Sequence, residues 1–333
     1  MSDVIKSYDP EKLAIATLAS HTSLQIFRAA HRHGMATIAL AREDVAHFYR
    51  RFNFINEVWT VASHRLNDLD AKLVARNAIL IPHGSLVEYF GTAAAGLRTP
   101  IFGNRHLIRW ESDQNLKMSL LREAGIPIPN TYNSPSEARV PAIVKLYGAK
   151  GGRGYFIARS REELALRCSA LTEPYIIQEY VIGAPAYYHY FASKMMDRVE
   201  ILGADVRYES NVDGRLAGLA EPTFVVVGNQ PLTLRESLLP KIIEYGEAFA
   251  ETVAEKVPPG LIGPYCLESI IRDDMEIIVF EFSGRIVAGT NVYAAIGSPY
   301  SALYFDQPID MGERIAIEIK EAAAQSRLQE ITT

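Results

Sequence analysis

Cysteine is nearly absent from this chain of 333 residues: Cys168 and Cys266 stand alone and far apart, without the close spacing of a metal site. Neither a disulfide framework nor a cysteine-held metal is expected, and both thiols read as small apolar side chains. Basic charge is not in excess. There are 34 Lys and Arg against 39 Asp and Glu, a net charge of −5, so no broad surface for nucleic acid is expected. No apolar run approaches the ~20 residues of a membrane span, and the polar stretch Met1–Glu11 lacks the apolar core of a signal peptide. The expectation is a cytoplasmic protein with no membrane partner. Internal repeats and low-complexity tracts are missing too. What remains is an ordinary globular composition, 48% hydrophobic and 22% charged. The chain is long enough for two or three lobes, because single cores stop growing near ~250–300 residues.

The first third alternates. Leu13–Ala19, Met35–Leu40 and Ala78–Pro82 are strand candidates, and Thr99–Phe102 is a further short apolar run. Leu24, Ile26, Phe27 and Ala30 with Gly34 as a stop fit a helix, as does the run from Leu86. Strands alternating with helices predict a parallel, doubly wound sheet, which binds ligands at the carboxyl ends of its strands. Two of those ends carry Ser20-His21-Thr22-Ser23 and His83-Gly84-Ser85. Each sets hydroxyls and an imidazole at a helix N-terminus, where an anion is favoured. Ordinary helix capping is the plainer alternative. His31, His33, His47 and His64 lie in polar sequence and read as surface residues.

In the middle, an apolar run from Ala142 to Val144 ends in Lys145, a basic glycine-dense loop from Gly148 to Gly154 follows, and a second apolar run spans Tyr155–Ala158. This reads as a hairpin whose tip lies over something anionic: glycines let N–H groups approach a phosphate, and Lys and Arg supply charge. A solvated glycine hairpin is the alternative. Upstream, Leu116, Leu120, Leu121 and Ala124 mark a helix stopped by Gly125, and Ile126-Pro127-Ile128-Pro129 forces an extended exit. Downstream, Tyr175–Val181 reads as a strand that leaves the Glu179 carboxylate and bare backbone at its end, a segment suited to an adenine; a solvated edge carboxylate is the alternative.

The last third supplies carboxylates. Glu268 ends one strand-like run and Glu281 another; positions 281, 283 and 285 alternate, which aligns Glu281, Ser283 and Arg285 on one face. The pattern suits a phosphate-bridging cation with an arginine near the transferred phosphoryl group, or else a polar-faced strand. Asn291 is a further candidate amide ligand. Arg207-Tyr208-Glu209-Ser210-Asn211 and a turn at Gly228-Asn229 read as a ligand wall or as surface turns. Lys241–Lys256 and Met311–Gln325 look like amphipathic helices, the second charged on its outer face.

The order helix, Ala-Gly-Ile-Pro, strand lysine, glycine hairpin and hinge strand resembles the ATP-grasp superfamily. The resemblance implies an α/β fold: an N-terminal doubly wound domain over 1–110, then a two-lobed ATP-grasp domain over 111–333, divided into 111–190 and 191–333. It implies ATP contacts at Lys145, Gly151, Gly152, Gly154, Gln178, Glu179, Tyr180 and Val181. Many members carry another lysine on the preceding helix; Lys117 is nearest but out of register, and is left out of the expected site. Ser283 stands where the superfamily often has Asn.

Several stretches are more specific. Ala19–Ile26, Pro82-His83-Gly84-Ser85, Phe102-Gly103-Asn104-Arg105, Arg109-Trp110-Glu111-Ser112 and Gly151–Phe156 resemble the archaeal formate-dependent phosphoribosylaminoimidazolecarboxamide ligases of purine synthesis. So do Arg207–Asn211, Leu234–Pro240 and Gly289-Thr290-Asn291. The likeness spans nearly the whole chain. It implies ATP-driven formylation of the aminoimidazole carboxamide ribotide (AICAR) through formyl phosphate, with AICAR, formate and ATP as small-molecule partners and Mg²⁺ or Mn²⁺ as the metal. By position it implies ribotide contacts at His21, Ser85 and Asn229, with Ser20, Arg207 and Tyr208 beside them. Glu209 would meet ATP, and Glu268 and Glu281 the metal. Arg285 is our choice for stabilising phosphoryl transfer, and a homo-oligomer is expected. Val212–Val227 is shorter than in relatives, which keeps open a ligase for another small carboxylate and amine. A non-catalytic nucleotide-binding paralogue is the third reading.

Overall fold

The computed structural model describes residues 2–61, 67–146 and 155–333. Three sheets organise the chain. The first is parallel, with β1 (Ala14–Leu18), β2 (Ala36–Ala41), β3 (Glu57–Thr60) and β4 (Ala78–Leu80) in the order β3-β2-β1-β4. Every residue of β1 and β4 is buried, as expected of strands covered by helices on both faces. β3 has no clear apolar run and was not expected. Gly34 takes φ +74° after the helix Ser23–Arg32, the left-handed stop that a glycine there suggests.

The second sheet is antiparallel: β5 (Thr131–Tyr132), β6 (Ala142–Leu146), β7 (Phe156–Ala158) and β8 (Tyr175–Glu179), in the order β5-β8-β6-β7. β6 and β7 form the expected hairpin, with Ala142 opposite Ala158. The hairpin tip, including Gly151, Gly152 and Gly154, lies outside the described residues.

The third sheet holds β9 (Ala184–Ser193), β10 (Arg198–Glu209), β11 (Val226–Pro231), β12 (Gly263–Ile271) and β13 (Ile277–Ser283), in the order β11-β10-β9-β12-β13. Its two faces differ. Tyr188, Tyr190, Tyr265, Leu267 and Phe282 pack into one core with Ile242, Phe249 and Val253 of the helix Leu239–Lys256. The opposite face carries the polar residues described below. Two expectations change here. Gly228 and Asn229 sit within β11 and pair with β10, so they form a strand and not a turn. The helix Met311–Ala324 is not charged only on an outer face: Arg314 and Glu318 are fully buried, with Arg314 donating to Glu200 at 2.7 Å and to Glu318 at 3.0 Å. Paired charges can be buried where isolated ones cannot, and this trio fastens the helix to β10. Among the described residues, no helix is long and apolar enough to cross a membrane.

Candidate active site

On the polar face of the third sheet, Glu268 of β12 lies opposite Glu281 of β13 and Tyr187 of β9, and Tyr187 lies opposite Asp205 of β10. Opposed residues of antiparallel strands share a face, so register alone lines up these groups. Cations meet them. Arg207 bonds Glu268 Oε1 at 2.6 Å, and Lys117, from the helix Gln114–Glu123, bonds Glu281 Oε1. Ser283 Oγ donates to the same Glu268 oxygen at 3.4 Å. Lys145 comes from β6, its Nζ 5.2 Å from the Phe280 ring centroid. Burial works against each charge, and the neighbours decide the balance. Glu281 falls below the usual carboxylate range because Lys117, Lys145 and Arg207 outweigh its burial. Glu268 rises, since burial and then the nearby Glu281 outweigh what Arg207 offers. Burial lowers Lys145, whereas Glu281 lifts Lys117 above its ordinary value despite burial. Glu268 Oε2 is buried and has no hydrogen-bond partner.

A second cluster sits at the ends of β1 and β4. Ser20 Oγ donates to Ser85 Oγ at 2.7 Å, joining the two strand ends. The His21 and His83 rings stack at 5.1 Å with 4° between planes. His83 Nε2 donates to Leu18 O at 2.9 Å, and its Nδ1 accepts from Ser85 N–H at 3.2 Å, which fixes the tautomer. Burial lowers the His83 pKa to about 4 and, with His83 and Arg285 alongside, holds His21 well below its ordinary value. Both imidazoles are neutral at pH 7. His21 has φ +56°, and its carbonyl accepts from Asn291 Nδ2 at 3.1 Å. Gly84 is required here: a Cβ would lie 2.8 Å from His21 Nε2 and 3.5 Å from Arg285. Arg285 in turn bonds the buried Glu111 at 2.8 Å, so it sits beside the histidines.

A family described as "Domain of unknown function (DUF1297)" matches residues 164–333, and one described as "Protein of unknown function (DUF1246)" matches 15–132. A protein of Pyrobaculum arsenaticum named 5-formaminoimidazole-4-carboxamide-1-(beta)-D-ribofuranosyl 5'-monophosphate synthetase is 62% identical over 335 residues, covering 100% of both chains. Its namesake from Sulfolobus acidocaldarius is 48% identical, covering 96% of this chain and 99% of that one. The chain belongs to this family of formaminoimidazole carboxamide ribotide synthetases. Among solved structures, the IMP biosynthesis protein PurP from Thermococcus kodakaraensis aligns with a TM-score of 0.79 at 30% identity, over 96% of this chain and 100% of that one. An ADP complex of N5-carboxyaminoimidazole ribonucleotide synthetase aligns with a TM-score of 0.69 at 13% identity, over 91% and 79%, and shows the shared ATP-grasp fold.

Within this synthetase the expected site residues fall into place unevenly. Lys145 and Gln178 share one face of the second sheet, since Lys145 lies opposite Ile176 and Ile143 opposite Gln178. Gln178 is buried and neither of its amide atoms has a partner. The hinge is less bare than expected. The N–H groups of Glu179 and Tyr180 donate to Asn130 and Pro141 carbonyls. The Glu179 carboxylate is held by Asn130 Nδ2 at 2.7 Å and Arg272 at 2.6 Å, because β5 and the end of β12 close over the strand end. Val181 is buried. Glu209 pairs with Arg215 at 2.9 Å. Tyr208 is turned by strand alternation to the face opposite Arg207 and is 45% exposed, which separates it from the cluster. Asn291 lies at His21 and bonds Gln25, away from the carboxylate pair. His33 is half-buried and bonds Glu313 at 2.6 Å instead of standing free on the surface. Lys117, Glu111, Asp205 and His189 were missed. The out-of-register lysine before Gly125 signalled Lys117, the family-like stretch Arg109-Trp110-Glu111-Ser112 contained Glu111, and nothing signalled the other two.

Proposed function

We propose that this synthetase formylates AICAR with formate and ATP, giving the 5-formamido ribotide, ADP and phosphate. The observation that carries the reading is the adjacency of the two clusters: a carboxylate pair ringed by Lys117, Lys145 and Arg207, beside a neutral cradle of Ser20, His21 and Ser85. ATP spans the second sheet, its adenine near Gln178 and the Glu179–Val181 hinge and its outer phosphates near Lys145, and Gly151, Gly152 and Gly154 are assigned to ATP by the sequence pattern alone. Glu209 lines the same cleft. Glu268 and Glu281 would hold a divalent cation, Mg²⁺ or Mn²⁺; the partnerless Glu268 Oε2 and the hard oxygen donors fit one. Such a cation would neutralise charge on the phosphates when bound.

A formate oxygen attacks the γ-phosphorus and ADP departs, with Arg285 near the transferred group. The 5-amino nitrogen then attacks the formyl carbon, phosphate leaves, and the nitrogen loses a proton. Neutral His21 is suited to take that proton, as a histidine held below its usual pKa by burial remains a free base at pH 7. The ribotide rests against Ser20, His21 and Ser85 at one end and Arg207 and Asn229 at the other. Two substrates held at fixed positions also shield an acyl phosphate from water. The test is direct: purified protein with ATP, formate and AICAR must release ADP and the formamido ribotide, and omission of formate must abolish the product. ADP release without that product, with formate saturating, rules the assignment out.

A further inference from the structure

A buried carboxylate at the seam of the two clusters has no part in the reaction above. Glu111, on the helix Leu107–Ser112, is 8% exposed and reaches the end of β13. Both of its oxygens are engaged there. Oε1 pairs with Arg285 Nη2 at 2.8 Å, and Oε2 accepts from the Gly284 N–H at 3.1 Å. The helix lies close against that backbone, since a Cβ at Gly284 would sit 3.2 Å from Leu107 Cδ1. A short run of backbone thus links one cluster to the other. Ser283 Oγ contacts Glu268, Gly284 and Arg285 meet Glu111, and Ile286 forms a parallel bridge with His83. Among the described residues, Glu111 is the one carboxylate paired with Arg285.

We infer that Glu111 holds the Arg285 guanidinium over this seam and so ensures that the formyl group, once phosphorylated, passes to the ribotide amine instead of to water. The inference rests on the formate reaction proposed above. An arginine side chain has many rotamers, and an ion pair with a fixed carboxylate selects among them. Glu111 takes one N–H of Nη2 and the Ile286 carbonyl one of Nη1, so each terminal nitrogen keeps a second N–H for a guest. The guanidinium also stands over Gly84 beside His21. A Cβ at that glycine would lie 3.5 Å from Arg285 Nη2 and 2.8 Å from His21 Nε2. Phosphoryl oxygens of the acyl phosphate meet the arginine, while its carbonyl carbon faces the imidazole and the amine. Released from Glu111, the cation is drawn toward phosphate and the carboxylate pair, and the acyl phosphate turns with it. Water then attacks the formyl carbon, phosphate leaves and a proton is lost. Formate is returned, and the cycle becomes a net hydrolysis of ATP. Glu111 is a positioning residue that acts through Arg285.

The decisive measurement is ADP released per formamido ribotide formed, on the full chain with every substrate saturating. Wild-type protein should release the two in equal amounts. In Glu111→Gln the amide oxygen can still accept from Gly284 N–H, but its NH₂ then faces the guanidinium. The ratio of ADP to product should rise about tenfold, the scale of one charge-assisted bond lost at the transition state. Equal ADP and product in the variant, however slow, overturns the inference. That is the outcome if Glu111 only supports the fold, or acts through nearby Lys117, which keeps Glu281 as its partner. A wild-type protein that makes no formamido ribotide overturns the proposed function, and the inference with it. Should E111Q fail to fold, Arg285→Ala leaves Glu111 as a seat for free guanidinium. Dilute guanidinium should then restore equal ADP and product where sodium at the same ionic strength does not. No restoration, or restoration by either cation, overturns the inference.

Discussion

The two ends of the candidate site use opposite physics. At the phosphate end, five charged side chains converge from β10, β12 and β13 of the third sheet, from β6 of the second and from a helix, and each carboxylate already has a cation against it. At the ribotide end, both histidines are neutral and the residues are joined by single hydrogen bonds such as Ser20–Ser85. On the proposed placement of ATP and ribotide, the difference follows from the ligands. Polyphosphate brings several charges that must be balanced, so charge is stored there in pairs that can exchange partners. A ribotide base brings donors and acceptors, which fixed neutral groups read without the cost of burying a charge.

Substitutions should separate the ends in a graded way. Glu281→Gln removes half of the carboxylate pair and should cost about 10³-fold or more in kcat, the several kcal/mol typical of a metal clamp, while AICAR affinity stays unchanged; a parallel loss of AICAR binding in calorimetry would erase the distinction. Next comes pH. His83 titrates near 4 in the fold and near its ordinary 6.5 when unfolded. Its neutral burial therefore costs nothing above pH 6.5, and stability drains as pH falls from 6.5 to 4, by about 3 kcal/mol. In His83→Gln, urea unfolding at pH 7 and pH 4 should show a decline smaller by roughly that amount; an equal decline would mean the histidine is protonated in the fold. Ser85→Ala deletes the Ser20 partner and should raise KM for AICAR up to about tenfold, one hydrogen bond's worth, with KM for ATP unmoved. The smallest effect belongs to Ser283→Ala: its long contact to Glu268 is worth about 0.5 kcal/mol or less, read as at most a twofold change in kcat.

Legibility in the sequence divided along the same line. Glu268, Glu281 and Lys145 announced themselves because a charge at the end of an apolar run is rare and strand alternation tells where it points. The parallel sheet was legible from Leu13, Met35 and Ala78 for the same reason, while β3, half-exposed and without an apolar run, was not. Ser20, His21 and Ser85 could be read as helix caps, and it was family likeness that singled them out. In fact Ser20 bonds Ser85, and the helix starting at Ser23 has no side-chain cap. Lys117 and Glu111 were lost because their partners, Glu281 and Arg285, lie more than 150 positions away along the chain. Asp205 and His189 looked like ordinary strand residues; they meet diagonally across β9 and β10, with His189 opposite Gly203 and Asp205 opposite Tyr187, and bond at 2.8 Å. Tyr208 was misplaced by treating a polar run as one wall, when a strand sends alternate side chains to opposite faces.

The short 3-10 helix Ala288–Tyr293 touches both sides of the cleft proposed for the ribotide. Gly289 abuts Asp205, and two residues on, Asn291 bonds Gln25 and the His21 carbonyl. The gap between the strand-end cradle and the Asn229 wall is thus spanned by a few residues of tightly wound backbone, a rigid gauge. With the ribotide placed as proposed, the length of the guest molecule is measured by main chain, and side-chain replacements along the walls would alter which atoms are read without altering how long a molecule is admitted.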